Sequence, residues 1–156
     1  MANEIRSRIL IVDDDARVVN LIAAQLEGQS SYIFEILTAA NGIEGLALNE
    51  KTHSHIGHVD VIISDYDMPK MNGLEMLCGI REKGYETPFV LLTGLAEKEK
   101  AMSALRLGAL DVIEKPHTIK QLMRTMNNAV KFSGLLRELD RELRTNHSKF
   151  LKKSGS

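Results

Sequence analysis

The chain has 156 residues, enough for one domain with a real core and too few for two large ones. Its apolar share of 44% and charged share of 26% suit a soluble globular protein, and a net charge of −1 gives no global basic field to hold nucleic acid or an anionic membrane. Apolar runs stay far below the ~20 residues that cross a bilayer, residues 1–6 lack a signal-peptide core, and the single cysteine, Cys78, allows no internal disulfide, so the expected compartment is the cytoplasm.

Strand-like and helix-like segments alternate along the chain. Residues 8–12, Arg-Ile-Leu-Ile-Val, read as a buried strand that ends in Asp13-Asp14-Asp15. Asp15 reads as a helix N-cap, and Val18, Leu21, Ile22 and Leu26 recur at helical spacing before Gly28, a stop signal. Residues 32–38 are a second strand candidate. A second helix opens near Asn41-Gly42 and covers 43–49, leaving 51–58 as an exposed loop. The third strand, 59–64, runs into Asp65, and Leu74, Leu77, Cys78 and Arg81 follow at helical spacing as far as Gly84, with Cys78 on the apolar face. Pro88 introduces a fourth strand, 89–92, and a fourth helix covers 97–107 with Gly108 as its cap. Residues 110–113 form a short fifth strand, and a helix follows Pro116.

Five strand–helix units in succession imply a doubly wound α/β fold, a five-stranded parallel sheet with helices on both faces. Ligands of such sheets sit beyond the carboxyl ends of the strands. Four strands deliver polar groups there: Asp13 and Asp14, Asp65, Thr93, and Lys115. Carboxylates held close together repel, and the repulsion favours a bound cation. Asp14, Asp65 and the backbone carbonyl of Asp67 offer hard oxygen ligands suited to Mg2+. A carboxylate such as Asp65 can attack phosphorus to give an acyl phosphate. An ammonium (Lys115), a hydroxyl (Thr93) and a backbone N–H (Gly94) are suitable groups to hold the phosphoryl oxygens.

The ordered motifs Ile-Val-Asp-Asp, Ile-Ile-Ser-Asp-Tyr-Asp-Met-Pro-Lys-Met-Asn-Gly, Leu-Leu-Thr-Gly and Glu-Lys-Pro resemble the receiver domain of two-component response regulators, from about residue 7 to 132. The resemblance implies a flavodoxin-like sheet of order 2-1-3-4-5 and a phosphorelay role. Asp65 would accept phosphate from a histidine kinase or phosphotransfer protein, Asp14 would ligate Mg2+ directly and Asp13 through water, and Thr93 and Lys115 would reorganise around the phosphoryl group. It also matches Lys115-Pro116 to a peptide that is often cis in the family.

Three departures stand out. Asn72-Gly73 replaces a common Asp-Gly pair, His117 stands where Phe often follows the proline, and Val112 occupies the switch position usually held by Tyr or Phe. Valine has no ring to rotate inward, so signalling is expected to move the loop after Thr93 and the C-terminal helix instead. Asp67 and Leu95 flank the site and are candidates for setting phosphate lifetime, Asp67 by orienting water and Leu95 by hindering it.

Residues 133–156 form a separate C-terminal extension. Leu122, Ala129, Phe132, Leu136, Leu139, Leu143 and Phe150 share one heptad register, broken at Thr125 and Asn146, while Gly134 costs about 1 kcal/mol of helix stability. Three readings stay open: a dimer-forming or partner-binding helix acting with helix four and strand five, a linker to an output domain, or a loose tail with a frayed end at 148–156. His53, His55 and His58 could bind Zn2+ but read as solvated, with neither cysteine nor a fourth ligand nearby. Two rival functions remain beside the switch. One is a haloacid-dehalogenase-like phosphatase built on Asp65-Tyr66-Asp67, and the other is an adaptor that has lost phosphorylation.

Overall fold

The computed structural model describes residues 6–29, 32–55, 57–94 and 96–155. Ten elements alternate: β1 (Arg6–Val12), α1 (Ala16–Gln29), β2 (Ile33–Ala39), α2 (Gly42–His55), β3 (Val61–Asp65), α3 (Gly73–Glu82), β4 (Phe89–Thr93), α4 (Lys98–Arg106), β5 (Asp111–Glu114) and α5 (Ile119–Ser154). The strands form one sheet in the order β2-β1-β3-β4-β5, every pair parallel. This is the doubly wound fold that the alternation of elements implies.

Strand residues alternate between two cores. Ile9, Ile11, Val61, Ile63, Val90 and Leu92 pack with Val19, Ile22, Leu26, Leu122 and Met126 on the α1 and α5 side. Leu10, Val12, Ile62, Phe89 and Leu91 pack with Met76, Leu77, Ile80 and Ala104 on the α3 and α4 side. A parallel strand covered on both faces must be apolar at nearly every position, which is why these segments read as unbroken hydrophobic runs. Each such side chain taken fully out of water contributes about 1.5–3 kcal/mol.

Register then sets the functional edge. Val12 lies opposite Ser64, Asp65 opposite Leu92, and Thr93 opposite Glu114. The polar residues that end β1, β3, β4 and β5 therefore emerge along one side of the sheet.

Several local readings change. Helix α1 runs past Gly28 to Gln29, because Gly28 is exposed and nothing there forces a turn. Helix α2 continues to His55, so 51–55 is helix rather than loop, held in part by the buried Thr52 donating to the Leu48 carbonyl at 2.7 Å. Cys78 is not a core thiol. Met76, Leu77 and Ile80 take the buried positions of α3, leaving Cys78 partly exposed beside Glu82, whose carboxylate raises the thiol pKa.

Helix α5 shows the largest change. It is one 36-residue helix, unbroken at Gly134 and continuing through 148–154, and a capping box between Thr118 and Gln121 opens it. Thr125 is no interruption. It is buried and its hydroxyl donates to Asp111 Oδ2 at 2.9 Å. Burial along α5 follows Leu122, Thr125, Met126, Ala129, Val130 and Ser133, then stops. Among the described residues no helix is long and apolar enough to cross a membrane.

Candidate functional site

The loop leaving β1 and the last residue of β3 bring Asp13, Asp14 and Asp65 together, with one carboxylate oxygen from each lying within 4.8 Å of the others. Asp13 is buried, and its Oδ1 accepts the Asp15 N–H at 2.8 Å while its Oδ2 has no partner. Burial raises the Asp13 pKa; the Asp15 N–H opposes that shift and the neighbouring charge of Asp65 adds to it. Asp14 is exposed at the rim. An orphaned, buried carboxylate oxygen beside two further carboxylates is a donor set that could hold a hard divalent cation. Asp15 takes no part, since it caps α1 by accepting the Arg17 N–H at 2.9 Å.

Asp65 is poised from the other side. Lys115 Nζ donates to its Oδ1 at 2.6 Å, and the Tyr66 N–H reaches the same oxygen at 2.9 Å. The Asp65 side chain is 12% exposed, against 38% for Lys115. The Asp65 carbonyl accepts the Ser64 hydroxyl at 2.8 Å. Gly73 is required by close approach rather than by an unusual φ, because a Cβ there would collide with that carbonyl. The left-handed residue of the β3–α3 turn is Lys70, at φ 68°.

Thr93 is buried at the end of β4, and its carbonyl accepts the Lys115 N–H at 2.7 Å, which ties the β4 and β5 exits together. The Lys115-Pro116 peptide is cis. The Gly94 N–H is already engaged, donating to Glu97 Oε2 at 2.9 Å. Asp67 is exposed, and Leu95 lies outside the described residues. Val112 packs partly buried against the α3–α4 core, with no aromatic ring at that point of β5. His117 is half-buried against Gln25 Oε1 at 3.3 Å; burial, assisted by the charge of Lys115, lowers its pKa.

Three features escaped the sequence reading. Lys100 Nζ stands 4.2 Å above the Tyr66 ring, next to Asp65, and 3.5 Å from Glu97 Oε1. At the opposite edge of the sheet, Asp60 is a buried ionic hub. Its carboxylate accepts from Arg137 at 2.6 Å, the Ser133 hydroxyl at 2.9 Å and the Arg8 N–H at 2.7 Å, with His58 Nε2 at 3.4 Å. Burial alone would raise the Asp60 pKa, but His58, the Arg8 N–H, Ser133 and Arg137 together hold it below the ordinary value. The third feature is an open groove of about 810 Å3 at that same edge, lined by His53, His58, Tyr85, Leu136, Leu139 and Leu143 among others. His53 belongs to this end too, its ring 4.5 Å from that of Tyr85 and its Nδ1 against the Asn49 carbonyl.

A family model described as the response regulator receiver domain matches residues 9–127. Regulatory protein AtoC of Escherichia coli (strain K12) is 34% identical over 133 residues, which cover 85% of this chain and 27% of that protein. A protein-glutamate methylesterase/protein-glutamine glutaminase of Methanosarcina mazei is 34% identical over 157 residues, 91% of this chain and 41% of its own length. The chain thus spans less than half of either relative. Among solved structures, a response regulator receiver domain protein from Clostridium thermocellum superposes with a TM-score of 0.73 at 31% identity, covering 83% of this chain and 98% of that one.

Proposed function

Because this chain belongs to the response regulator receiver domain family, we propose that it works as a switch whose phosphoryl acceptor is Asp65, and that residues 133–156 are an extension beyond the receiver proper. The observation that supports this best is the convergence of Lys115 and two further carboxylates on Asp65 at one sheet edge.

The donor is a phosphohistidine on a histidine kinase or phosphotransfer protein. An Asp65 oxygen attacks phosphorus, the new O–P bond forms as the N–P bond breaks, and the imidazole leaves with the electron pair. Asp13, Asp14, Asp65 and the Asp67 carbonyl would hold Mg2+, which supplies charge neutralisation for the carboxylates and the phosphoryl oxygens. Lys115 holds Asp65 before transfer and the phosphoryl group after it, while the Thr93 hydroxyl and the Gly94 N–H take the remaining oxygens. The domain thereby promotes its own phosphorylation and turns over no separate substrate. Asp67, exposed two residues past the acceptor, and Leu95 tune the lifetime. Val112 cannot relay the change as a ring would, so the β4–α4 loop and α5 carry it. The single cysteine and this chemistry suit the cytoplasm.

Past Ser133 no α5 side chain is buried, and Leu135, Leu139, Leu143 and Phe150 are all more than half exposed. That stripe supports docking of α5 on a second copy or an output partner. Family membership does not favour the phosphatase reading, and the complete set Asp14, Asp65, Thr93 and Lys115 weighs against an adaptor that has lost phosphorylation.

The test is acetyl phosphate with Mg2+, read by intact mass on wild type and Asp65→Asn. One decaying phosphoryl increment on wild type and none on the variant is expected. An increment that survives Asp65→Asn, or steady turnover of a phosphate ester, would reject the assignment.

A further inference from the structure

We propose that Glu97 is an internal competitor for the Gly94 N–H and that its carboxylate restrains phosphoryl acceptance at Asp65; this rests on the acceptor reading above. The geometry is a closed ring between the β4 exit and the start of α4. The Gly94 N–H donates to Glu97 Oε2 at 2.9 Å, and the Glu97 N–H returns to the Gly94 carbonyl at 3.3 Å. The Glu97 side chain is only 22% exposed, and Lys100 Nζ, 3.5 Å away, steadies its other oxygen.

A backbone N–H is a single donor. The N–H offered to a phosphoryl oxygen is therefore one that a carboxylate already holds, through a charge-assisted bond of the stronger kind. A phosphoryl oxygen can take it only if Glu97 leaves. The released carboxylate has a place to go, since Glu97 precedes the first turn of α4 and makes no side-chain cap bond to that helix in this state. Its partner Lys100 also stands over the ring of Tyr66, whose N–H binds Asp65. Exchange of one anion for another at Gly94 is thus coupled to the start of α4 and to the rim of the acceptor, without an aromatic residue at Val112.

Glu97→Ala, Glu97→Gln and Glu99→Ala are compared with wild type as full chains, in acetyl phosphate and Mg2+, by the rate of Asp65 mass gain. Glu97→Ala should accept about tenfold faster and Glu97→Gln, which keeps a weaker neutral acceptor, about threefold. Glu99→Ala removes the same charge from an exposed site on α4 and should leave the rate unchanged. Without metal or donor, the Gly94 amide proton resonance should move upfield in Glu97→Ala, reporting the lost bond, and move less in Glu97→Gln. Unchanged or slower acceptance in both Glu97 variants, a static Gly94 resonance, or an equal gain in Glu99→Ala would overturn the proposal while leaving Asp65 as acceptor. A wild-type chain that gains no mass on Asp65 would overturn the acceptor reading and this one with it.

Discussion

Lys115 Nζ lies 2.6 Å from Asp65 Oδ1, a contact across 50 residues of sequence that joins the exits of β3 and β5. The contact costs little to form, because the Thr93 carbonyl fixes the Lys115 backbone on the adjacent strand exit. Removing the ammonium should leave Asp65 able to react but without its main fixed positive charge. Lys115→Ala is expected to slow acceptance from acetyl phosphate by on the order of 10²-fold. Lys115→Arg should recover only part of the rate, since a planar fork does not fit a point-charge position. Rates of mass gain on the three proteins decide it, and equal rates would remove Lys115 from the chemistry.

Asp13 makes a second expectation. Its buried Oδ2 has no partner, and its ionised form is disfavoured by burial and by Asp65. Asp13→Asn should therefore raise metal-free stability at neutral pH, by about 1 kcal/mol, as relief of like-charge burial. Wild type should gain about 2.7 kcal/mol from Mg2+ at a hundredfold excess over its dissociation constant, and the variant much less. Thermal melts with Mg2+ and after chelation make the comparison. A variant as responsive to Mg2+ as wild type would place the cation elsewhere.

Asp60 governs the other end of the molecule. Asp60→Ala would strand Arg137, Ser133 and the Arg8 N–H around a hole and should cost about 3 kcal/mol. Arg137→Ala should cost less, because Ser133 and the Arg8 N–H stay on the carboxylate. The pH dependence follows from the lowered pKa of Asp60. A carboxyl held below its unfolded value gives stability that is complete above that value, about pH 4, and is lost as pH falls through the folded one. Asp60→Asn should flatten the acid limb of the stability curve in denaturant titrations; an unchanged limb would assign it to other groups.

These residues also show what the sequence made legible. Parallel strands buried on both faces are apolar until they reach the functional edge, so Asp13 and Thr93 announce themselves as the first polar residues past their runs, and Asp65 and Lys115 follow one residue later, after Ser64 and Glu114. Asp60 carries no such mark. It sits just before β3, reads in the sequence as part of the strand, and finds Ser133 73 residues away. Glu97 reads only as the first residue of the fourth helix, because nothing in the sequence shows its carboxylate returning to the Gly94 N–H. Thr125 looks in the sequence like a flaw in a heptad because its partner, Asp111, lies on a different element.

The outer half of α5 poses the last question. A helix segment without tertiary burial is marginal in water, since nucleation and backbone entropy are not offset by packing. Arg137 is still tied to Asp60 at 2.6 Å, but beyond it the Arg144–Asp140 pair at 2.8 Å is exposed and contributes a few tenths of a kcal/mol at most. Leu139 and Leu143, 54% and 60% exposed, lie four apart on one face, so pairing with a second copy would supply the missing burial. Helicity should then rise with protein concentration together with the mass seen in sedimentation equilibrium. Leu139→Lys combined with Leu143→Lys should hold the chain monomeric and lower the far-ultraviolet helical signal, while the Asp65 acceptance rate stays within about twofold, since neither residue is near that edge. A wild-type chain that stays monomeric and fully helical at every concentration would show that the outer helix stands without a second copy, and would assign the exposed leucines to a different partner.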